Sequence, residues 1–167
     1  MKSITTHSVA ETKNFAKRYI EGILKSRTKS SEALIIGLYG NLGSGKTAFT
    51  QGMAEALGIL DHVTSPTFVI QKIYPLMHSL SNGKSQDFAQ DFSTFTHLIH
   101  IDAYRLESAD EMEHLGWHQI ANNQRNIIII EWPEKIEALL PANHIRLKFT
   151  FIDENTRQIE IEAKMVQ

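Results

Sequence analysis

The chain contains no cysteine, which excludes disulfide bridges and every zinc site built on thiolates. That is compatible with a reducing compartment, and the cytoplasm is the expected location. Long apolar runs are missing too, since no stretch reaches the roughly 20 residues that a membrane-spanning helix needs. The opening Met1 to Thr6 lacks the charged start and apolar centre of a secretory signal. Excess charge is also absent. A formal net charge of −2 gives no global footprint for nucleic acid, whose binders usually show a basic patch or stripe, so any RNA is expected to be held by another chain. There is no internal repeat and no low-complexity tract. What is present is 167 residues with 42% hydrophobic side chains, enough for one domain (1–167) around a single core and too few for a second.

Glycine is where the sequence turns informative. Gly40-Asn41-Leu42-Gly43-Ser44-Gly45-Lys46-Thr47 fits the pattern G-x-x-x-x-G-K-T, between a strand-like run, Ala33 to Tyr39, and a helix-like one, Thr47 to Leu57, closed by Gly58. Glycines let the backbone turn so that successive N–H groups point inward at phosphate oxygens. Lys46 adds a movable positive charge for the outer phosphates, and the Thr47 hydroxyl is placed for Mg²⁺. The motif and its flanks predict a site for a nucleoside triphosphate with magnesium.

Elsewhere, Ser8 to Glu11 reads as a capping box opening an amphipathic helix that runs to the polar stretch from Lys25. Thr64-Ser65-Pro66-Thr67 breaks the chain before a β-branched and aromatic run, Phe68 to Tyr74, expected as a strand. Residues 75–96 are rich in Ser, Gln, Asn and Asp and read as a loop or hairpin insertion. His97 to Asp102 is a short strand, Ser108 to Glu111 a second capping box, and Gly116 a helix end. Asn126 to Ile130 is an unbroken apolar run, as in a strand covered on both faces, and it delivers Glu131 at its carboxyl end. A short helix from Pro133 to before Pro141 follows, and Ile145 to Ile161 reads as a hairpin. The expected fold is α/β: one P-loop domain, a mainly parallel central sheet flanked by helices, and a C-terminal β-hairpin.

In open α/β sheets, ligands bind outside the carboxyl ends of the strands. Three segments arrive there. Ser65-Pro66-Thr67 stands where many P-loop proteins carry a nucleotide-sensing switch, or is an ordinary turn. On the strand His97 to Asp102, alternation puts His100 and Asp102 on one face, so a carboxylate reaches the phosphates unless Asp102 merely caps the next turn. Glu131 is a lone acid at the tip of four isoleucines and is costly to desolvate unless a cation compensates it. It is either a direct or water-mediated magnesium ligand or the group that orients an attacking water. Trp132 beside it reads as core packing rather than a stacking platform.

The phosphate loop, Ser65-Pro66-Thr67-Phe68, His100-Ile101-Asp102-Ala103-Tyr104-Arg105-Leu106 and Glu131-Trp132-Pro133, in that order, resemble the TsaE family of bacterial P-loop ATPases over nearly the whole chain. The resemblance implies a Mg-dependent ATPase that acts in forming threonylcarbamoyladenosine at position 37 of tRNAs reading codons that begin with A. Such a protein docks on a TsaD–TsaB pair and meets tRNA only through that complex. By matching position, it implies that Gly43, Ser44, Gly45, Lys46, Thr47 and Ala48 bind the phosphates of ATP or ADP, and that Thr47 and Glu131 hold Mg²⁺. It also implies a supporting role for Asp102, a switch role for Thr67, and adenine near Val9.

Two positions depart from the family pattern, which usually has Asp at Asn41 and a hydroxyl residue at Ala48. Losing that hydroxyl removes a phosphate contact worth about 0.5 to 1.5 kcal/mol. A P-loop small-molecule kinase is the alternative, although no arginine-rich lid follows the loop. A GTPase switch would need guanine-reading Asn-Lys-x-Asp, which is absent, and a nucleotide-dependent binding module without turnover would not need Glu131.

Overall fold

The structure, a computed structural model, describes residues 2–27, 30–59, 63–76 and 94–162. The chain opens with strand β1 (Lys2–Thr6) and helix α1 (Val9–Ser26), followed by β2 (Leu34–Tyr39) and α2 (Lys46–Ala56). After these come β3 (Gln71–Pro75), β4 (His97–Asp102), the short helices α3 (Ala109–His114) and α4 (Trp117–Ala121), and β5 (Asn126–Glu131). A 3-10 segment, Pro133–Leu139, leads into β6 (Ile145–Phe151) and β7 (Arg157–Glu162).

All seven strands form one sheet in the order β1-β7-β6-β2-β5-β4-β3. Its centre, β6-β2-β5-β4, is parallel, and the flanking pairs β3–β4, β6–β7 and β1–β7 are antiparallel. The apolar runs explain the centre: β5 is buried along its whole length, as a strand with helices on both faces must be. Ile127 and Ile129 join the core beneath α1 and α2, while Ile128 and Ile130 join the core beneath α3, α4 and the 3-10 segment.

Both capping signals hold. The Ser8 hydroxyl accepts from the Glu11 N–H at 3.1 Å, and the Glu111 carboxylate accepts from the Ser108 N–H at 3.1 Å. Gly116 ends α3 in the left-handed region. Helix α1 lies closely on α2: a Cβ at Gly52 would strike the Lys13 backbone, and Lys13 and Lys17 both reach Glu55 at 3.1 and 2.7 Å. Phe15, Tyr19 and Phe49 pack between the two helices, and Phe49 meets Phe149 of β6 edge-on at 5.4 Å.

Two expectations change. The segment after Pro66 is not yet strand at Phe68: the Pro66 carbonyl accepts from the N–H groups of both Val69 and Ile70, which coils the chain before β3 begins at Gln71. The β propensity of these residues is overridden by context, because the N–H groups of Val69 and Ile70 are taken by the Pro66 carbonyl within a local turn rather than by a neighbouring strand. The N-terminal residues also form a strand, β1, paired with β7 from Lys2↔Ile161 to Thr6↔Arg157. Most of the proposed insertion, 77–93, lies outside the described residues. Its two ends are adjacent, because the Leu76 N–H donates to the Thr96 carbonyl at 2.8 Å.

Candidate functional site

Strand β2 delivers the chain to the phosphate loop at the carboxyl edge of the sheet. Gly40, Gly43 and Gly45 all have positive φ. At Gly40 glycine is doubly required, since a Cβ there would also collide with the Phe149 carbonyl on β6. The loop feeds directly into α2, so backbone N–H groups of Lys46, Thr47 and Ala48 lie in an unsatisfied first helical turn with the positive end of the helix dipole.

Lys46 is 4% exposed, and its ammonium donates to the carbonyls of Gly40 at 2.6 Å and Asn41 at 3.0 Å. It also stands 4.1 Å above the Trp132 ring. Burial pushes this ammonium below the usual lysine range, and the carboxylates of Glu131, Glu134 and Asp102 partly restore it. The loop therefore holds its own cation against its own carbonyls and an indole face.

Two carboxylates flank this cation from the neighbouring strands. Asp102 and Glu131 are register partners at the ends of β4 and β5, and each is 3% exposed. Glu131 accepts the Thr47 hydroxyl at 3.0 and 3.1 Å and the His100 Nε2 at 2.9 Å. Asp102 divides its oxygens. Its Oδ1 accepts the Tyr104 N–H at 3.1 Å and so caps the following 3-10 turn, while Oδ2 accepts from Ser65 at 2.6 Å and from Thr67. Asp102 thus caps the following turn with one oxygen and turns the other toward Ser65 and Thr67. The Ser65-Pro66-Thr67 segment is tied to the carboxylate edge, and the Asp102 N–H in turn donates to the Ile70 carbonyl at 2.8 Å.

These groups surround a cleft of about 380 Å³. Its lining runs from Leu42 to Ala48 and includes Ser65, Thr67, Asp102, Tyr104, Glu131 and Trp132. Every expected site residue except Val9 is there. Val9, 61% exposed, stands at the start of α1. His7, two residues before it, lies 3.5 Å from Thr156 at the β6–β7 turn. Trp132 is not simply core packing: it has φ +60, covers Lys46 and lies 5.1 Å from the Tyr104 ring.

Two further residues bear on the site: His100, which heads the motif ending in Leu106 but takes no role of its own from it, and Arg157, which has no local motif. His100 is fully buried and reaches Glu131, a contact foreshadowed only by its sharing a strand face with Asp102. Arg157, at the start of β7, runs its side chain past Gly45, with Cγ 3.5 Å from where a Cβ would stand. Its guanidinium donates to the carbonyls of Asp153 and Thr156 at 2.6 and 2.9 Å and lies 4.6 Å above the Phe151 ring. No spacing in the sequence links position 157 to a loop formed by residues 40–47.

A parallel sheet, a glycine-rich phosphate loop opening a helix, and an acid at the end of the adjacent strand define a P-loop α/β protein. Comparison with known proteins narrows this class. Residues 6–159 match the family model described as threonylcarbamoyl adenosine biosynthesis protein TsaE. A relative from Haemophilus influenzae, named tRNA threonylcarbamoyladenosine biosynthesis protein TsaE, is 31% identical over 98% of this chain and 92% of that protein. A protein of the same name from Bacillus subtilis is 35% identical over 77% of this chain and 69% of its own length. The crystal structure of Bacillus subtilis YdiB superposes with a TM-score of 0.62 at 26% identity, covering 97% of this chain and 84% of that one. The chain belongs to the TsaE family.

Proposed function

We propose that this protein is a Mg-dependent ATPase that works with a TsaD–TsaB pair in forming threonylcarbamoyladenosine on tRNA. The observation that carries the reading is the convergence of Lys46, Thr47, Glu131 and Asp102 on one cleft beside the phosphate loop. Thr47 and Glu131 offer hard oxygen donors about one hydrogen bond apart, and the Glu131 carboxylate is buried with few protein donors. That chemistry fits Mg²⁺. A bound Mg²⁺ would neutralise charge on the terminal phosphates as the bond to the leaving oxygen breaks.

The chain's own groups do the remaining work. Backbone N–H groups from Gly43 to Ala48 bind the phosphates, and Lys46 leaves the Gly40 and Asn41 carbonyls to meet the outer ones. Asp102, freed from one of its hydroxyl partners, orients the attacking water or the metal's hydration. Thr67 changes partner as the nucleotide changes, which makes the Ser65 to Ile70 coil the switch. Arg157 sits beside Gly45, where it contacts the nucleotide between the phosphates and an adenine lying near Val9. The whole of 1–167 acts as one domain, in the cytoplasm, and tRNA is held by the partner chains.

The test is reconstitution. Adding the protein and Mg-ATP to TsaD–TsaB, tRNA and threonylcarbamoyl-adenylate is expected to raise modified tRNA beyond a single round. Phosphate release without any dependence of modification on this chain would refute the pathway assignment. Absence of phosphate release would refute the ATPase itself.

A further inference from the structure

We infer that His100 is a positioning residue for Glu131, fixing the carboxylate orientation on which magnesium binding depends; this rests on the magnesium site proposed above. A buried carboxylate must find donors, and among the described residues Glu131 finds two: the Thr47 hydroxyl and the His100 imidazole. The two donors are not equivalent. Thr47 carries one proton and makes near-equal contacts of 3.0 and 3.1 Å with both oxygens, so it holds Glu131 in place without choosing between them. His100 approaches Oε1 alone, at 2.9 Å, and leaves Oε2 as the oxygen with a free direction.

The imidazole is well placed to impose this choice. It is 0% exposed on the central strand β4, with Leu98 preceding it on the same face, and has no room to follow a moving partner. An ionised carboxylate only accepts, so the proton of the contact lies on His100 Nε2. Nδ1 is the nitrogen for which the described residues supply no partner. A histidine kept for packing alone would need no polar partner in common with the proposed metal site. A buried donor aimed at one oxygen of a ligating carboxylate is the arrangement of an outer-shell orienter, which fixes a ligand's geometry from behind.

The test compares side chains of nearly equal volume. ADP affinity is measured by calorimetry with and without Mg²⁺ for the wild type, His100→Met, which cannot donate, and His100→Gln, which can. The tightening produced by Mg²⁺ should fall about tenfold in His100→Met, the lower end for lost outer-shell partners, and be largely kept in His100→Gln. Metal-free ADP affinity should stay unchanged in both. In a Glu131→Gln background, His100→Met should have no further effect. An unchanged magnesium increment in His100→Met, or an equal loss in Gln and Met, overturns the assignment, as does a parallel loss of metal-free binding. Should His100→Met fail to fold, ¹⁵N spectra of the unaltered protein decide: the Nε2–H tautomer supports the proposal and the Nδ1–H tautomer overturns it. If the wild type shows no Mg-dependent ADP binding at all, the magnesium site itself has failed, which is a different result.

Discussion

Glu131 and Lys46 are both almost wholly buried, Lys46 held by carbonyls of the phosphate loop and Glu131 by the Thr47 hydroxyl and His100. Their substitutions should therefore separate binding from chemistry. Glu131→Ala is expected to lower phosphate release at least a hundredfold while leaving metal-free ADP affinity in calorimetry within a few-fold, in line with the typical loss when one stabilising group is removed. Retained turnover would take Glu131 out of the mechanism. Trp132 offers an independent view of Lys46. Because the ammonium lies 4.1 Å over the indole, nucleotide binding that draws Lys46 away should change Trp132 emission. In a Trp117→Phe background, which silences the buried second tryptophan, ADP titration should shift the spectrum, and a flat titration would mean that Lys46 keeps its place. Arg157→Ala should weaken nucleotide binding by a few-fold to tenfold without altering turnover at saturation.

Among the elements, the joint between α1 and α2 and the coil before β3 are the most sensitive. Gly52→Ala places a methyl against the Lys13 backbone, and overpacking of this kind costs about 1 to 3 kcal/mol. A fall in the urea midpoint at unchanged slope would register it. The coil holds Ile70 at φ +64, a conformation unfavourable for a β-branched residue, with its carbonyl accepting from the Asp102 N–H. Ile70→Gly should relieve that strain, by about 1 kcal/mol or more before the glycine's own entropy cost, and loosen the Ser65 to Thr67 segment.

These elements also show what the sequence makes legible. The loop, the caps at Ser8 and Glu111 and the isoleucine strand ending in Glu131 each follow from short-range chemistry, so they are readable residue by residue. The same holds for the shared face of His100 and Asp102. The coil at Phe68 to Ile70 is not, because its side chains favour a strand and only the Pro66 carbonyl decides otherwise. Strand β1 is likewise hidden: its residues carry little apolar pattern, and its pairing with β7 joins opposite ends of the chain. Arg157 and the His100–Glu131 contact belong to the same class, being products of strand order rather than of spacing.

For the molecule as a whole, charge sets two expectations. With a net charge of −2, the isolated protein should show no tight tRNA binding in a filter assay at physiological salt, whereas tRNA should be retained with the assembled partners. Stability should decline on the acid side. Glu137 sits against Arg146 and Tyr39. Burial, the largest influence, raises its carboxyl, but the hydrogen bonds from Arg146 and Tyr39 outweigh it and hold the group below its ordinary 4.5. A lowered carboxyl contributes stability that is present above the unfolded value and lost as pH falls through the folded one. The difference in urea stability between wild type and Glu137→Gln should accordingly be fully present above about pH 4.5 and be lost as pH falls below it through the lowered folded value. As a partly exposed group, Glu137 should contribute no more than about 1 kcal/mol.

The strand order has a consequence for how the protein is made. Strand β2, which carries the phosphate loop, is bounded by β5 and β6, and both emerge from the ribosome long after it. A nascent chain that has already exposed Gly40 to Thr47 thus has a loop with no walls, and Glu131 and Arg157 are still to be synthesised. Non-local pairing of this kind is slow to form and leaves apolar strands waiting for partners. Ribosome-stalled chains ending before Ile145 should fail to retain ATP, and full-length released chains should retain it. Nucleotide can then act as ligand only for the finished protein, never as a template for its folding.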